Sequence, residues 1–388
     1  MSGPPFLPFA LPDIGPEEHR QVREVLDSGW LTTGPKTKEF ERRFAEYVGA
    51  PHAVAVNSGT AALHLALEAA GVRAGDEVIV PTYTFAASAE VVRYFDARPV
   101  LVDVEPRTLL VDPDRVAEAV TPRTKAILPV HLAGIAADMD ALGTIARRHG
   151  LVLVEDAAHS LPSTSRGRRI GSFGDLTCFS FYATKTLTTG EGGMICTANE
   201  EWANRCRQMS LHGISRDAWK RYTSEGSWYY EIEEAGFKDN LTDLAAALGL
   251  AQLSRVDAMR ESRASIARQF TEAFSGCDAL EPPSDAPGGD QHAWHLYMLR
   301  LNLDRLNVDR AAFVEDLRAL GIGVSVHFIP LHLHPYYRRT YGFEPDDCPV
   351  AHREYLREVS LPIYPRMSES DVGRVIAAVL GVAEKRRR

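Results

Sequence analysis

The sequence predicts an α/β protein in which a largely parallel sheet is covered by helices on both faces. Two observations support this prediction. Short apolar, β-branched segments recur through the first half of the chain, and amphipathic helical patterns lie between most of them. Such an alternation favours parallel strands, because each helix carries the chain back across the sheet. The 388-residue chain is long enough for this unit and a smaller one.

Seven segments are predicted as strands of the sheet. They span residues 52–56, 77–80, 99–104, 125–130, 151–154, 176–181 and 193–197. Helical patterns follow the first four of them, at residues 60–70, 86–95, 114–119 and 139–149. Ligands of such proteins bind at the carboxyl ends of the strands, so polar residues there are the first candidates for a functional site.

The first dozen residues and the last third of the chain do not continue this alternation of strands and helices. The first dozen residues are rich in proline, which predicts an extended arm. A helix over residues 241–256 leads into a long connecting helix over 257–274, and a turn-rich loop follows. The remaining predicted elements are a strand at 294–302, a helix at 309–320 and a strand at 324–328. We therefore predict a large domain, residues 1–256, and a small α+β domain, residues 257–388.

Composition excludes several classes of protein. The net charge of −9 disfavours nucleic acid as a partner, because phosphate backbones are bound by clustered lysine and arginine. The five cysteines form no C-x-x-C pair, so neither disulfides nor zinc is expected. The N-terminus lacks a basic region followed by an apolar segment, and no apolar run reaches membrane-spanning length. We expect a cytoplasmic protein with no membrane partner.

The most informative residue is Lys185, within Phe179-Ser-Phe-Tyr-Ala-Thr-Lys-Thr-Leu-Thr-Thr-Gly-Glu-Gly-Gly193. Upstream, Asp156 follows an apolar run, so its carboxylate is expected at the end of a buried strand, where an unpaired charge is costly. A pyridoxal phosphate enzyme needs such a pair. The lysine binds the aldehyde of the cofactor, and the carboxylate keeps the pyridine nitrogen protonated so that the ring accepts electrons. A helix cap is the alternative role for Asp156.

A phosphate site is predicted where the first strand ends. The segment Ser58-Gly59-Thr60 opens an amphipathic helix, and the N–H groups at a helix N-terminus stabilise anions. Ser180, shortly before the lysine, could add a second hydroxyl. The alternatives are that Ser58 or Thr60 is only an N-cap and that Ser180 is an ordinary polar residue at a strand end.

Two ring-bearing side chains are candidates for contact with the cofactor ring. Phe85 follows a strand and could stack on the ring, although a core phenylalanine would show the same pattern. His159 could orient the carboxylate or contact the ring hydroxyl, and a core histidine is the alternative.

Two further segments carry candidate residues. Asn240 is expected as an N-cap, at a helix start that could also hold a phosphate across a subunit interface. His327, His332 and His334 lie in one loop, but their spacing fits no defined metal site, so no metal is expected and the loop is predicted to face the substrate.

Together these motifs resemble the sugar aminotransferases of the DegT/DnrJ/EryC1/StrS family, which have the fold type I (aspartate aminotransferase-like) architecture of pyridoxal phosphate enzymes. The resemblance covers nearly the whole chain. Residues 28–35 and 292–296 are most similar to the subgroup that aminates C4 of UDP-linked 4-keto sugars such as 4-keto-arabinose. The matching segments are residues 28–35, 57–63, 81–87, 129–134, 155–160, 179–193, 236–243 and 292–296.

The resemblance implies roles for most of the candidates. Lys185 is implied as the Schiff-base lysine and Asp156 as the partner of the pyridine nitrogen. A symmetric homodimer is also implied, in which Asn240 reaches the cofactor phosphate of the neighbouring subunit. The other implied contacts are Gly59, Thr60 and Ser180 with the phosphate, Phe85 with the ring, and Arg221 and Lys238 with the diphosphate of the sugar nucleotide. Beside these, we expect His159 to contact the cofactor and Thr32 and His327 to contact the substrate.

One position departs from the family pattern. Many relatives carry an aromatic or similar residue where Asp239 stands, so this edge of the sugar pocket is expected to differ. Another branch of the family replaces the lysine with histidine and dehydrates sugars. Lys185 argues against that branch.

The expected reaction moves the amino group of L-glutamate onto a keto carbon of a UDP- or TDP-linked keto-pentose or keto-6-deoxyhexose. The resemblance favours C4. One alternative is a pyridoxal phosphate-dependent dehydratase, lyase or racemase on the same fold. The other is a non-catalytic pyridoxal phosphate-binding regulator, which would carry an added DNA-binding domain or lack the lysine.

Overall fold

The computed structural model describes residues 5–214 and 230–388. Most of the helices in these ranges pack on one of the two larger sheets of three. The helices are α1 (Pro16–Ser28), α2 (Pro35–Val48), α3 (Gly59–Ala69), α4 (Ala87–Arg93), α5 (Pro113–Ala119), α6 (Met139–His149), α7 (Glu200–Met209), α8 (Asp243–Leu253), α9 (Val256–Phe274), α10 (Arg310–Ala319), α11 (Pro335–Tyr341), α12 (Pro349–Tyr355) and α13 (Glu369–Lys385). The strands are β1 (His52–Val56), β2 (Glu77–Pro81), β3 (Arg98–Val102), β4 (Thr124–Ile127), β5 (Val152–Asp156), β6 (Thr164–Ser165), β7 (Arg168–Arg169), β8 (Leu176–Ser180), β9 (Gly193–Thr197), β10 (Leu280–Glu281), β11 (Tyr297–Leu301) and β12 (Glu358–Leu361).

The largest sheet confirms the predicted mostly parallel arrangement. In the described residues it has seven strands in the order β1-β9-β8-β5-β4-β2-β3, and β9 alone runs antiparallel to its neighbours. All seven predicted segments form strands. Strand β4 ends at Ile127 rather than at residue 130, because Pro129 has no N–H to continue the ladder.

Helices cover both faces of this sheet. Alternate residues of a strand point to opposite faces, and β1 shows this clearly. Val54 and Val56 pack in a cluster with α3 and α7, whereas Ala53 and Ala55 pack in another cluster with α2 and α8. Apolar side chains therefore pack against both faces of the sheet, which positions its strand ends.

The three-stranded sheet has the antiparallel order β10-β11-β12 in the described residues, and the core beside it includes Phe270, Tyr297 and Phe313. The N-terminal arm docks here, since Leu7 N–H donates to the carbonyl of Gly321 at 2.8 Å. Strands β6 and β7 form a separate two-stranded sheet. The predicted domain boundary after residue 256 remains a prediction.

The predicted strand at residues 324–328 is wrong. Only Ser325 forms a bridge, with Ser360 of β12. Beyond it the next available N–H, that of His327, donates to the side chain of Glu358 rather than to a strand carbonyl, at 3.0 Å. The segment therefore leaves the sheet as a loop.

The predicted helix over residues 241–256 is divided at Ser254 into α8 and α9. Asn240 is not its N-cap, contrary to the prediction. Thr242 caps α8 by accepting a hydrogen bond from Ala245 N–H at 3.2 Å. The side chain of Asn240 instead donates to Thr33 Oγ1 at 2.6 Å. No helix in residues 5–214 or 230–388 is long and apolar enough to cross a membrane.

Candidate active site

A cavity of about 380 Å³ lies at the carboxyl ends of the central strands. Asp156 ends β5, Ser180 ends β8 and Phe85 follows β2, so three separate strands deliver side chains to one place. Residues far apart in sequence meet here, as the parallel topology requires. The predicted site residues that line the cavity are Gly59, Thr60, Phe85, Asp156, His159, Ser180, Lys185 and His327.

The carboxylate of Asp156 is buried and held by hydrogen bonds on both oxygens. Oδ2 accepts from Ser88 Oγ at 2.8 Å, and Oδ1 accepts from Ala158 N–H at 3.1 Å. Ser88 is in turn hydrogen-bonded to the hydroxyl of Thr84 at 2.9 Å. These contacts fix the orientation of the carboxylate in the cavity wall, as a partner for a cationic ring nitrogen requires.

Lys185 follows β8 in a turn closed by its N–H, which donates to the carbonyl of Tyr182 at 2.9 Å. Its side chain is partly exposed to the cavity and otherwise enclosed by protein. Burial lowers the pKa of Lys185 to about 8, and the negative charge of Asp156 opposes this shift. The amine is therefore more often neutral near pH 7 than an ordinary lysine, and a neutral amine is the nucleophile that attacks an aldehyde.

The start of α3 forms an anion-binding corner. Ser58 is the N-cap and accepts from Ala61 N–H at 3.0 Å. A Cβ at Gly59 would lie 2.8 Å from Cβ of Ser180, so only glycine allows the end of β8 to approach this closely. Thr60 and Ser180 line the cavity beside the N–H groups of the first helical turn, which have no intrahelical partner. This corner fits a phosphate.

The histidines of the cavity are neutral. Nδ1 of His159 accepts from Ala133 N–H at 3.3 Å, so its proton is on Nε2. Burial, with smaller effects of Lys185 and His327, lowers the pKa of His159 well below its ordinary value. The ring of His295 lies 4.3 Å from that of His159, and burial lowers its pKa in the same way. Both rings are therefore uncharged near pH 7.

Phe9 and Ser88 were not predicted as parts of the site. Phe9, on the N-terminal arm, stacks on His327 with 5.2 Å between ring centroids, although nothing in the proline-rich segment indicates where the arm docks. Phe85, by contrast, was predicted; it is largely exposed, and its ring centroid lies 6.0 Å from that of Phe328. The signal for Ser88 is its spacing of one helical turn from Thr84, which becomes informative only when Asp156 is known to be their neighbour.

Three of the predicted contacts do not line this cavity. A fourth, Arg221, lies outside the described residues. Of the three, Lys238 Nζ donates to Asn240 Oδ1. The carbonyl of Thr32 accepts from Asp243 N–H at 3.2 Å. Thr32, Lys238 and Asn240 therefore cluster around the start of α8, and none of the three lines the cavity of its own chain.

Comparison with known proteins identifies the family. Residues 12–380 match the model of the DegT/DnrJ/EryC1/StrS aminotransferase family. The chain belongs to this family. The aminotransferase is 50% identical over 380 residues to the spore coat polysaccharide biosynthesis protein SpsC of Bacillus subtilis, covering 98% of this chain and 97% of SpsC. It is 49% identical over 382 residues to the uncharacterized protein MJ1066 of Methanocaldococcus jannaschii, covering 98% and 99%.

A solved relative is the putative sugar aminotransferase Spr1654 of Streptococcus pneumoniae. Its PMP form superposes with a TM-score of 0.92 at 37% identity, covering 98% of this aminotransferase and 99% of Spr1654. Its PLP form superposes with a TM-score of 0.91. The predictions of fold type I and of pyridoxal 5′-phosphate, or its amine form, as the cofactor are confirmed.

The residues of the cavity fit this cofactor. A nucleophilic lysine, a fixed carboxylate and an anion-binding helix start lie around one space, and the close approach of Ser180 to Gly59 shapes the phosphate end. When bound, pyridoxal phosphate supplies a ring that accepts the electrons released from a substrate carbon. Lys185 would hold it, Asp156 would face its ring nitrogen, and Thr60 and Ser180 would hold its phosphate.

Proposed function

We propose that this protein transfers the amino group of L-glutamate to the keto carbon, C4, of a UDP- or TDP-linked ketosugar. The observation that carries the proposal is the meeting of Lys185 and Asp156 in one cavity of an aminotransferase fold. The sugar as acceptor is supported by the 50% identity to SpsC, a polysaccharide biosynthesis protein, and by the likeness to Spr1654. The nucleotide carrier, glutamate as the amino donor and C4 as the aminated carbon are proposed from the motif resemblance.

Lys185 is proposed to act twice. It first holds the cofactor. With the cofactor bound and its amine free, Lys185 would accept the proton that leaves the α-carbon of glutamate and pass it to the cofactor, and in the second half-reaction it would carry a proton from the cofactor to the sugar carbon. Its pKa of about 8 suits both steps, because the amine gains and loses a proton readily near neutral pH. Asp156 would stabilise a positive charge on the ring nitrogen of the bound cofactor.

The protein is proposed to be a cytoplasmic homodimer with shared active sites. Asn240 and Lys238 lie together outside the cavity of their own chain, which supports a contact with the partner subunit's site. Asn240 would reach the partner's cofactor phosphate. Lys238 and Arg221 would bind the diphosphate of the sugar nucleotide, with Thr32 and His327 as further substrate contacts.

Product analysis tests the reaction. The cofactor-loaded protein is incubated with L-glutamate and a series of UDP- and TDP-linked 4-keto sugars, and both products are quantified by mass spectrometry. We expect equal amounts of 2-oxoglutarate and aminosugar, and NMR of the product identifies the aminated carbon. A dehydratase, lyase or racemase would give no stoichiometric 2-oxoglutarate, and a regulator would give neither product. Lys185→Ala is the inactive control.

A further inference from the structure

A chain of hydrogen bonds joins a buried carboxyl group to the cavity. Glu358 and Ser360 lie on β12 and are both fully buried. Ser360 Oγ is 2.5 Å from Glu358 Oε1 and 2.9 Å from Nδ1 of His327. His327 lines the cavity, so Nε2 is the ring nitrogen left for a ligand. The carboxyl group thus contacts the cavity only through a hydroxyl and an imidazole.

Glu358 is unusual because it is buried without an ion-pair partner among the described residues. Arg300, its neighbour across the sheet, pairs with Glu281 at 2.6 Å and with Glu354 at 3.5 Å instead. In the described part of the chain, the other ionisable groups near it are His327, Arg310 on α10 and the buried phenol of Tyr83. A buried carboxyl group without a counter-charge is costly, and the proposed chemistry of the cavity does not use it directly.

Burial raises the pKa of Glu358 to about 8, although Ser360, His327 N–H and Arg310 act in the opposite direction. Burial and the charge of Lys185 lower the pKa of His327 to about 4, so its imidazole is neutral near pH 7. A neutral imidazole carries one proton, on either Nδ1 or Nε2. What decides between the two nitrogens is the direction of the hydrogen bond with Ser360.

The hydrogen bonds that link Glu358, Ser360 and His327 can run in either of two directions. Oε2 of Glu358 accepts from His327 N–H at 3.0 Å, so only Oε1 can carry a proton without losing that bond. If Glu358 is ionised, the Ser360 hydroxyl donates to Oε1 and accepts from Nδ1–H, which leaves Nε2 as an acceptor. If Oε1 is protonated, it donates to Ser360, whose hydroxyl then donates to Nδ1, and Nε2 carries the proton.

We propose that Glu358 and Ser360 are positioning residues that set the tautomer of His327, and thereby decide whether Nε2 donates or accepts a hydrogen bond in the cavity. Below about pH 8 Nε2–H donates, which suits the carboxylate of the amino donor or the keto oxygen of the acceptor. Above that pH Nε2 accepts, which suits a sugar hydroxyl. The identity of these ligands rests on the proposed function, whereas the tautomer itself does not.

NMR of the cofactor-loaded protein tests this proposal. Long-range ¹H–¹⁵N correlation spectra of ¹⁵N-histidine-labelled protein distinguish Nδ1–H from Nε2–H, and the spectrum of His327→Gln assigns the signal. We expect His327 to change from Nε2–H at pH 7 to Nδ1–H at pH 9. In Glu358→Gln the amide oxygen keeps the bond from His327 N–H and the amide NH₂ donates to Ser360, so Nε2–H should persist at both pH values.

Ser360→Ala removes the relay without adding volume and should make the tautomer independent of pH. Ser325→Ala, on the adjacent segment, is the matched control and should behave as the wild type. A single tautomer shared by the wild type, Glu358→Gln and Ser360→Ala at both pH values would overturn the proposal. The measurement needs no turnover, so failure of the proposed reaction and failure of the relay are separate results.

Discussion

The hydroxyl of Ser88 donates a 2.8 Å hydrogen bond to Oδ2 of Asp156. Ser88 lies in the first turn of α4 and Asp156 at the end of β5, so the bond ties a helix to the strand end that carries the carboxylate. Together with Ala158 N–H it leaves Asp156 one orientation. The carboxylate is therefore oriented by one contact within its own segment and by one from a distant helix.

Asp156→Asn should lower kcat for aminotransfer by on the order of a hundredfold or more, because a neutral amide cannot stabilise a positive ring nitrogen. Ser88→Ala should lower kcat by roughly tenfold or less, since the carboxylate loses only one of its orienting hydrogen bonds. Steady-state kinetics with saturating cofactor measures both. Asp138→Asn, at the exposed N-cap of α6, is the control. A kcat close to wild type for Asp156→Asn would refute its assigned role.

Thr60→Ala and Ser180→Ala should each weaken the binding of pyridoxal phosphate by roughly tenfold or more, because a hydrogen bond to a charged group contributes about 1.5–3 kcal/mol. Equilibrium dialysis of cofactor-free protein gives the dissociation constants. Thr144→Ala on the exposed face of α6 should bind as the wild type does. Unchanged affinity in both cavity variants would place the phosphate elsewhere.

The pKa of Lys185 predicts how the rate of cofactor attachment depends on pH. Burial favours the neutral amine, so the pKa lies below that of an ordinary lysine, at about 8. In cofactor-free protein the rate should rise about tenfold per pH unit below pH 8, as the neutral fraction grows, and level off above it. Stopped-flow absorbance measures this rate. A rate that is still rising steeply at pH 10 would show an unperturbed lysine.

Mixed dimers test whether Asn240 serves the partner's site. Lys185→Ala and Asn240→Ala chains should each have little activity alone. When they are co-expressed, about half of the dimers are mixed and one of the two sites in each carries neither substitution, so about a quarter of wild-type activity should return. Activity no higher than the average of the two parents would mean that each site is built from a single chain.

The central sheet and the centre of the site could be predicted because their signals are local. Each strand is an apolar, β-branched run, and Lys185 and Asp156 follow such runs directly. The features that were missed depend on contacts between distant segments. Asn240 has the sequence pattern of an N-cap, but Thr242 accepts the capping hydrogen bond from Ala245 N–H. The side-chain amide of Asn240 instead donates to the hydroxyl of Thr33. No sequence pattern near His327 indicates that its N–H donates to the side chain of Glu358, so that a segment predicted as a strand is a loop.

The visible absorption spectrum of the protein loaded with pyridoxal phosphate tests the central claim most directly. L-glutamate should abolish the absorption band of the lysine-bound cofactor, and one UDP- or TDP-linked 4-keto sugar should restore it. That cycle would establish aminotransfer and identify the acceptor in one experiment. A band that neither glutamate nor any ketosugar changes would contradict the proposed reaction, and the absence of any such band would contradict the assignment of Lys185.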